Sequence, residues 1–275
     1  MFAYIIDKIV PYTDSTIHIS DLALQRGYGI FDFFRVRNKK PLFLEDHLDR
    51  FYASAGKMLL QSPVDRNELT DIIITLVEKN NLSDAGVKVL LTGGYAEDGY
   101  TITQPNLIVV VQPFKYPSEQ QLQSGVKIIT VNFRKELPDI KTINYQKAIM
   151  MTPAVKAANA VDLVYHHDGI ISELPRCNFF IVTQEDVIKT PDQQILLGVT
   201  RKKVLQLARK KYKVEECSIT LNDVYNAKEA FFTSSTKRIV PVVKVDDYMI
   251  GSGKPGKITL DLLSGLIQHE DEVLR

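Results

Sequence analysis

The sequence predicts an α+β protein of two domains. Its 275 residues are enough for two domains of the usual ~100–200 residues each. Along the chain, apolar residues recur with the two-residue period of strands in some segments and with the 3.6-residue period of helices in others. The predicted strands form hairpins and short runs interspersed with helices, and this order favours an α+β architecture in both halves over regular βαβ units.

Composition and charge narrow the functional classes. The 34 basic and 33 acidic residues are interspersed and leave a net charge of +1, which argues against a nucleic-acid surface. Two cysteines are too few for a disulfide framework, and the five histidines show no metal-ligand spacing. The first residues lack the apolar segment of a signal peptide, and no run of ~18 apolar residues could span a membrane. We therefore expect a cytoplasmic protein that acts on small molecules and binds no metal.

The first half, residues 1–114, is predicted to form an N-terminal α+β domain. From Glu45 onward, apolar residues follow the i, i+3, i+4 and i+7 spacing of an amphipathic helix, and a second helix is expected over 66–79. Segments rich in β-branched and aromatic residues predict strands. These strands are expected at 2–10, 31–37, 87–91 and 107–111.

A polar segment with two prolines, from Gln112 to Gln121, separates the two halves. Prolines in a polar stretch between apolar runs are typical of a linker. We therefore place the domain boundary here, with an interdomain linker over 115–121 and a C-terminal domain over 122–275.

The second half is predicted to contain one clear hairpin, over 163–171. Its Asp168-Gly169 pair fits a type I′ turn, which requires positive φ at both central residues. The remaining strands are expected at 126–132, 178–182, 186–189, 229–233 and 239–245, and the helices near 144–159, at 200–212 and from Lys257 onward.

Lys141 has the setting of a functional residue. It lies in the short polar segment Leu137–Tyr145, between a predicted strand and a predicted helix, and loops in such places carry function on a rigid scaffold. Most lysines are solvated surface charges. A lysine that attacks a carbonyl carbon must first lose its proton, so it needs a sheltered position that lowers its pKa.

Six motifs, in order along most of the chain, resemble those of the class IV aminotransferases. This is the fold-type IV family of pyridoxal-phosphate enzymes, which includes D-amino-acid aminotransferases, branched-chain aminotransferases and aminodeoxychorismate lyases. One motif alone would be weak, whereas six in register are specific. They are Gly27–Asp32, His47–Phe51, Asp139–Lys141, Ile171–Glu173 with Asn178–Phe180, Gly198–Arg201 and Phe232–Thr236.

The resemblance implies a fold-type IV enzyme in which each domain has a mixed or antiparallel sheet or barrel with helices, and in which the C-terminal domain binds pyridoxal 5′-phosphate. Lys141 matches the lysine that holds the cofactor covalently and moves a proton to and from the substrate. Glu173 matches the carboxylate that keeps the pyridine nitrogen protonated. Arg50 matches an arginine that binds the phosphate bidentately. Without the resemblance, Glu173 and Arg50 would be read as solvent-facing charges.

Further cofactor-binding residues are implied near the phosphate. Val199 and Thr200 open a predicted helix, and the free N–H groups of such a first turn favour an anion. Ser234 and Ser235 match a second phosphate-binding turn after a strand, although a serine cluster can also be an ordinary loop. Leu196 belongs to the same implied set.

Two residues are alternatives for the phenolic oxygen of the cofactor. Arg134 corresponds to an arginine of the D-amino-acid branch, and Tyr145 to a tyrosine of the branched-chain branch. Both remain open.

The chain departs from its relatives where they bind the substrate carboxylate. The best-known D-amino-acid aminotransferases use a tyrosine of the first strand with an arginine and a histidine of a loop. Here Phe31 takes the tyrosine position, and the loop 92–100 contains neither arginine nor histidine. A carboxylate still needs a cation, and the substrate-binding candidates are Arg176, Arg26 and Arg35, each of which could instead be a surface arginine.

The resemblance predicts an aminotransferase that exchanges an amino group between an amino acid and a 2-oxo acid such as 2-oxoglutarate. The stretch from Leu44 to Asn81, and Asp139–Lys141 with Arg134, favour the D-amino-acid branch. A branched-chain L-aminotransferase and an aminodeoxychorismate lyase are the alternatives. The resemblance also implies a homodimer with its sites near the interface.

Overall fold

The chain forms two compact units in a computed structural model that describes residues 1–114 and 116–275. The first unit comprises Met1–Lys115, Ile140–Asn144 and Val273–Arg275, and the second comprises Tyr116–Asp139 and Tyr145–Glu272. The segment that carries Lys141 therefore groups with the first unit, although the sequence assigned it to the C-terminal domain. Lys115, the first residue of the predicted linker 115–121, lies outside the described residues.

The first unit is built around one antiparallel sheet. The sheet has the strand order β2-β1-β6-β5-β3-β4, in which every pair of neighbours is antiparallel. Its elements are β1 (Phe2–Ile5), β2 (Lys8–Pro11), a 3₁₀ turn (Tyr12–Asp14), α1 (Leu22–Arg26), β3 (Gly29–Arg37), β4 (Lys40–Pro41), α2 (Leu44–Lys57), α3 (Arg66–Asn80), β5 (Ala85–Thr92) and β6 (Leu107–Pro113).

Alternation along β3 decides which side chains face the core of the first unit. Ile30 and Phe34 are fully buried and pack in one cluster with Leu48 and Phe51 of α2. The odd-numbered positions of the strand point to the opposite face, because successive side chains of a strand alternate. Phe31 therefore lies on the face away from α2.

The second unit contains a mixed sheet. The strand order is β13-β12-β11-β14-β15-β7-β8-β9, with β10 beside β11 and β16 beside β15. The pairs β12–β13, β15–β7 and β7–β8 are parallel. The elements are α4 (Glu119–Ser124), β7 (Val126–Asn132), α5 (Gln146–Met150), α6 (Thr152–Ala157), β8 (Asp162–His167), β9 (Ile170–Ile171), β10 (Glu173–Leu174), β11 (Cys177–Val182), β12 (Ile188–Thr190), α7 (Val199–Ala208), β13 (Val214–Glu216), α8 (Leu221–Tyr225), β14 (Glu229–Ser234), β15 (Arg238–Val245), β16 (Tyr248–Met249) and α9 (Lys257–Val273).

The central strand of this sheet is apolar on both faces. All six residues of β11 are buried. Phe179 belongs to a core cluster with residues of β7, β14 and β15, whereas Phe180 packs with residues of α7 and α9 on the other face. This two-sided burial explains why the strand reads as a continuous apolar run.

Several predicted elements differ from the structure in their boundaries. The strand predicted over 2–10 is a hairpin, because Ile6 adopts a positive φ of 62° between β1 and β2. The helix expected near 144–159 is two short helices, α5 and α6. Pro153 lies in the first turn of α6 and lacks the N–H that would continue α5. The predicted linker contains the start of α4, and α7 ends at Ala208 rather than at residue 212.

No helix among the described residues combines the length and the hydrophobicity needed to span a bilayer. Within the same residues, no group of three or more histidine, cysteine or acidic side chains is placed to hold a metal ion.

Candidate active site

Lys141 is held against the edge of β3 by backbone hydrogen bonds. The N–H of Phe31 donates to the carbonyl oxygen of Lys141 at 2.9 Å, and the N–H of Ile143 donates to that of Gly29 at 3.1 Å. Gly29 allows this close approach, because a Cβ there would lie 3.0 Å from the carbonyl oxygen of Leu91 and 3.3 Å from Ile143 Cδ1. The loop predicted from the sequence is therefore fixed as a short extension of the first unit's sheet.

The side chain of Lys141 is half-buried and lies over an aromatic ring. Its Nζ is 4.7 Å from the ring centroid of Phe31. From the sequence, Phe31 is a substrate-binding candidate, because it takes the position of a substrate-binding tyrosine, and Lys141 is the catalytic candidate. The structure brings these two side chains together. A lysine in this position is both sheltered and anchored at its backbone, as covalent chemistry requires.

Arg50 belongs to a buried cluster of charged groups in the first unit. Its Nε and Nη2 donate to the two carboxylate oxygens of Asp32, at 2.8 Å each. Nδ1 of His47 lies 2.7 Å from Asp32 Oδ1. The arginine thus presents one side of its guanidinium to Asp32, while Nη1 has no hydrogen-bond partner among the described residues. This is the geometry of an arginine fixed in place with donors left for an anion.

The electrostatics of this cluster keep Asp32 ionised and His47 neutral. Burial alone would raise the pKa of Asp32, but the charges and hydrogen bonds of Arg50 and His47 outweigh it and hold that pKa far below its usual value. Burial lowers the pKa of His47, and the positive charges of Arg50 and Lys141 act in the same direction, whereas Asp32 opposes them.

Glu173 is a buried carboxylate with several donors in the second unit. It is 3% exposed. Its Oε2 accepts hydrogen bonds from Asn178 Nδ2 at 3.1 Å and from the N–H of Leu196 at 3.0 Å, and Oε1 lies 2.6 Å from Nζ of Lys135. The carboxylate therefore lies in a fixed orientation and is not the exposed acid that composition alone would suggest.

The first turn of α7 has N–H groups that no side chain caps. Its N-cap is Gly198, which has no side chain to cap the helix, and Val199 and Thr200 are buried. A Cβ on Gly198 would lie 2.1 Å from Asn178 Oδ1, so a larger residue would push away the amide that holds Glu173. The implied phosphate site at this helix start thus adjoins Asn178, and Leu196 connects to both because its carbonyl oxygen accepts from Asn178 Nδ2 at 2.7 Å.

Ser234 and Ser235 lie at the turn between β14 and β15 and are half-buried. Ser234 Oγ lies 3.2 Å from Thr236 Oγ1 and accepts from the N–H of Lys237, also at 3.2 Å. The preceding residue, Thr233, is 1% exposed, and its hydroxyl has no hydrogen-bond partner among the described residues. A buried hydroxyl without a partner costs free energy unless another group bonds to it.

The two alternatives for the phenolic oxygen differ in their surroundings. Arg134 is exposed, and its Nε donates to Gln194 Oε1 at 3.2 Å. Tyr145 is half-buried and immediately precedes α5, as the residue at its N-cap.

The three arginines proposed for the substrate carboxylate also differ. Arg176 is exposed and forms no hydrogen bond or ion pair with any described residue. Arg26 is exposed at the end of α1, with Nη1 donating to the carbonyl oxygen of Gln25 at 3.0 Å. Arg35, at 4% exposure, is buried on β3. Among these three arginines, Arg176 and Arg26 are therefore accessible, whereas Arg35 is buried.

Sequence reasoning did not single out several side chains that organise these clusters. Asp32 and His47 lie within quoted motifs, but their pairing with Arg50 was not predicted. Lys135 carried no signal beyond its proximity in sequence to Lys141. Lys88, on β5, is half-buried, and its Nζ is 6.0 Å from the ring centroid of Phe31. Alternation could have placed Lys88 opposite Phe33, on the same face as Phe31, once the pairing of β3 with β5 was known.

Buried ionisable groups with shifted pKa values, such as Asp32 and His47, are common at functional sites. The chain belongs to the amino-transferase class IV family, whose sequence profile matches residues 29–245. The family resemblance inferred from the motifs is thereby confirmed, together with the aminotransferase class.

Individual relatives match over nearly the whole chain. A D-alanine aminotransferase of Bacillus licheniformis is 29% identical over 266 residues, which are 94% of this chain and 93% of that protein. A putative branched-chain-amino-acid aminotransferase of Methanocaldococcus jannaschii is 30% identical over 274 residues, which are 95% of this chain and 94% of that protein.

Solved structures confirm the predicted fold class. The branched-chain amino acid aminotransferase of T.th. with pyridoxamine 5′-phosphate superposes with a TM-score of 0.90 at 23% identity, covering 98% of this chain and 93% of that one. A putative 4-amino-4-deoxychorismate lyase of Legionella pneumophila has a TM-score of 0.85 at 24% identity, covering 94% of this chain and 97% of that one.

Proposed function

We propose that the protein is a pyridoxal-phosphate-dependent aminotransferase that exchanges an amino group between a D-amino acid and a 2-oxo acid such as 2-oxoglutarate. The observation that carries the cofactor assignment is the buried carboxylate of Glu173, held by an amide, a backbone N–H and a lysine. Such an anion suits the protonated ring nitrogen of a pyridine.

The residues present also fit the phosphate of this cofactor. Arg50 has donors at Nη1 beyond those used by Asp32, and α7 begins with uncapped N–H groups. Thr233 has a buried hydroxyl without a partner among the described residues, next to the two serines of the implied phosphate turn.

When bound, pyridoxal phosphate supplies an electron sink that stabilises negative charge at the reacting carbon of the substrate. Lys141 would hold the cofactor and, once released, would carry the proton that leaves and returns at that carbon. Glu173 would hold the ring proton. Arg50 would fix the phosphate, and Arg134 or Tyr145 would donate to the phenolic oxygen. Phe31 would limit where Lys141 Nζ can move, because that nitrogen lies over its ring.

The relatives leave three substrate classes to compare. Similarity to the D-alanine aminotransferase of Bacillus licheniformis supports D-amino acids as substrates of this chain. Similarity to the Methanocaldococcus jannaschii protein, at nearly the same identity, supports branched-chain amino acids. The superposition on a putative 4-amino-4-deoxychorismate lyase supports the third class. We favour D-amino acids because the sequence stretch from Leu44 to Asn81 is most similar to that branch.

A half-reaction screen tests the substrate class. The purified enzyme is mixed with D-alanine, D-glutamate, L-leucine or L-glutamate, and the absorbance of the protein-bound cofactor is followed in single turnover. D-alanine and D-glutamate are expected to bleach the absorbance band of the protein-bound cofactor, whereas the two L-amino acids react much more slowly. Faster reaction with L-leucine would assign the protein to the branched-chain class. Pyruvate released from aminodeoxychorismate, without an amino acceptor, would assign it to the lyase class.

Replacement of Lys141 tests the covalent attachment itself. Borohydride reduction of the parent protein should fix the cofactor to the peptide that contains Lys141, as mass spectrometry would show. Lys141→Ala should lose both the label and multiple turnover, because attachment and proton transfer depend on the same amine. Lys156→Ala, which removes an exposed lysine of α6, should keep both. Normal turnover by Lys141→Ala would exclude the assignment.

A further inference from the structure

Lys135 is paired with the carboxylate proposed to face the cofactor ring. Its Nζ lies 2.6 Å from Glu173 Oε1, and both residues belong to the second unit. The carboxylate side chain is 4% exposed, whereas that of Lys135 is 27% exposed. The pair is therefore a buried anion met by a cation whose side chain still reaches solvent.

The other carboxylate oxygen already has its donors. Oε2 of Glu173 accepts from Asn178 Nδ2 and from the N–H of Leu196. A carboxylate oxygen has two lone pairs, so these two bonds use the full capacity of Oε2. A further donor, such as a pyridine N–H, would have to bond to Oε1 and share that oxygen with Lys135, which already takes one of its two lone pairs.

We infer that Lys135 is a positioning residue that shares Glu173 Oε1 with the cofactor's ring nitrogen and so weakens the hold of Glu173 on the ring proton. The inference rests on the proposed function, because it assumes that Glu173 faces a pyridine. A cation beside a carboxylate makes that carboxylate a poorer proton acceptor. Lys135 therefore tunes the strength of the electron sink and the affinity for the cofactor together.

The position of Lys135 suits an exchange between the carboxylate and water. It lies three residues after the end of β7, in the segment before Asp139, and Glu173 is the only described residue with which it forms an ion pair. A lysine has a flexible four-carbon stem, and its ammonium can withdraw into water while the stem stays packed. In the cofactor-free protein, the same lysine keeps the buried charge of Glu173 paired.

Comparison of two cofactors isolates the ring nitrogen. The cofactor-free parent, Lys135→Met and Lys135→Arg are titrated with pyridoxal phosphate and with its 1-deaza analogue, in which a C–H replaces the ring nitrogen. The ratio of the two dissociation constants measures how strongly the protein prefers the ring nitrogen. Effects of the ring replacement that do not involve residue 135 cancel when this ratio is compared between the variants and the parent.

We expect this preference for the ring nitrogen to rise roughly tenfold to a hundredfold in Lys135→Met, the range that one hydrogen bond to a charged group represents. Lys135→Arg keeps a cation beside Glu173 and should stay near the parent. Lys135→Met should also gain more in melting temperature from pyridoxal phosphate than the parent does, because its cofactor-free form lacks the cation that Lys135 places beside the buried Glu173.

The outcomes separate this inference from the proposed function. If the parent does not take up pyridoxal phosphate at Lys141, the proposed function fails. If it does, but the preference for the ring nitrogen is the same in the parent and in Lys135→Met, then Lys135 is only a structural partner of Glu173 and the inference is wrong. If Lys135→Met is too unstable to titrate, Lys135→Gln gives the same comparison with a side chain that remains polar.

Discussion

An arginine that is to bind an anion must be held in place, and Arg50 is held by a buried carboxylate. Asp32 takes up two of its nitrogens, and His47 completes the cluster at 2.7 Å from the same carboxylate. Preorganisation of this kind lets Nη1 meet a phosphate without first ordering a long side chain. The sequence motifs contained all three residues, but only the fold shows that they act together.

Glu173→Gln tests the anion in the second unit. The variant keeps the shape of the side chain and can still accept from Asn178 and from Leu196, but it lacks the negative charge that would hold the ring proton. We expect the rate of proton abstraction in single turnover to fall ~10²-fold or more, the range of a positioned electrostatic group. The affinity for pyridoxal phosphate should fall less, because the phosphate contributes much of it. Unchanged single-turnover rates would mean that another residue faces the ring nitrogen.

The lowered pKa of His47 predicts a pH dependence of stability. The unfolded chain protonates this histidine near pH ~6.5, whereas the folded state does so only at lower pH. As the pH falls through this window, the unfolded state binds more protons, and the free energy of unfolding should fall by at most ~1.4 kcal/mol per pH unit. The depressed pKa of Asp32 adds a further loss only below its unfolded value of ~3.9.

Urea unfolding of the cofactor-free protein between about pH 7.5 and about pH 5 measures this slope. His47→Gln should reduce the slope of unfolding free energy against pH, even if the variant is less stable than the parent at neutral pH. His18→Gln, at an exposed histidine of the first unit, is the matched control and should keep the parent slope. Equal slopes in the parent and in His47→Gln would show that His47 does not titrate differently on folding.

Among elements, the final helix depends on a contact from a distant strand. Glu229, the first residue of β14, accepts from the N–H groups of Ile258 and Thr259 and from the Thr259 hydroxyl, at 3.1, 2.8 and 2.7 Å. Its carboxylate thus caps the start of α9 from outside the helix. Negative charge at a helix start is also favoured by the helix dipole.

Glu229→Ala should therefore destabilise the protein more than removal of an ordinary cap. Asp65 caps α3 through a single bond to the N–H of Glu68 at 2.9 Å and is exposed. We expect Asp65→Ala to cost ~1 kcal/mol of the free energy of unfolding and Glu229→Ala about 1.5–3 kcal/mol. Chemical denaturation of both variants measures the difference. A smaller loss for Glu229→Ala than for Asp65→Ala would show that α9 is held by its apolar face alone.

Local sequence signals predicted most helices and strands. They failed where a single backbone angle sets the position of a turn, or where a tertiary contact brings distant residues together. The Asp168-Gly169 turn was predicted correctly, because its positive φ values of 48° and 85° follow from the residue types. The turn at Ile6 was missed, because a β-branched residue gives no signal for positive φ. For the candidate site, the motifs indicated Lys141, Glu173 and Arg50, whose roles stay predictions. The Lys135 contact spans 38 positions, and no local pattern encodes it.

At the scale of the whole molecule, family membership specifies least which residues bind the carboxylate of the substrate. Loop 92–100 lacks the arginine and the histidine with which the best-known D-amino-acid aminotransferases bind this carboxylate. Arg176 and Arg26 are exposed cations that could bind it instead. Arg176→Ala is expected to raise the dissociation constant for amino acids and 2-oxo acids about ten- to a hundredfold, the worth of one charge-assisted hydrogen bond. The cofactor spectrum should stay unchanged, and amines without a carboxylate should bind as they do to the parent.

Arg26 tests how the expected homodimer builds its sites. Arg26 lies at the exposed end of α1, where its side chain donates one hydrogen bond among the described residues, to the backbone of Gln25. If Arg26 serves the partner's site, then mixed dimers of Arg26→Ala and Lys141→Ala subunits contain one complete site, which combines Lys141 of one subunit with Arg26 of the other. We expect such mixtures, assayed at low glutamate concentration, to recover activity that neither variant shows alone. Sedimentation must show a dimer under the same conditions. If the mixed dimer recovers no activity, Arg26 belongs to the site of its own subunit. If Arg26→Ala binds glutamate as strongly as the parent does, Arg26 is a surface residue, and Arg35 is the next candidate.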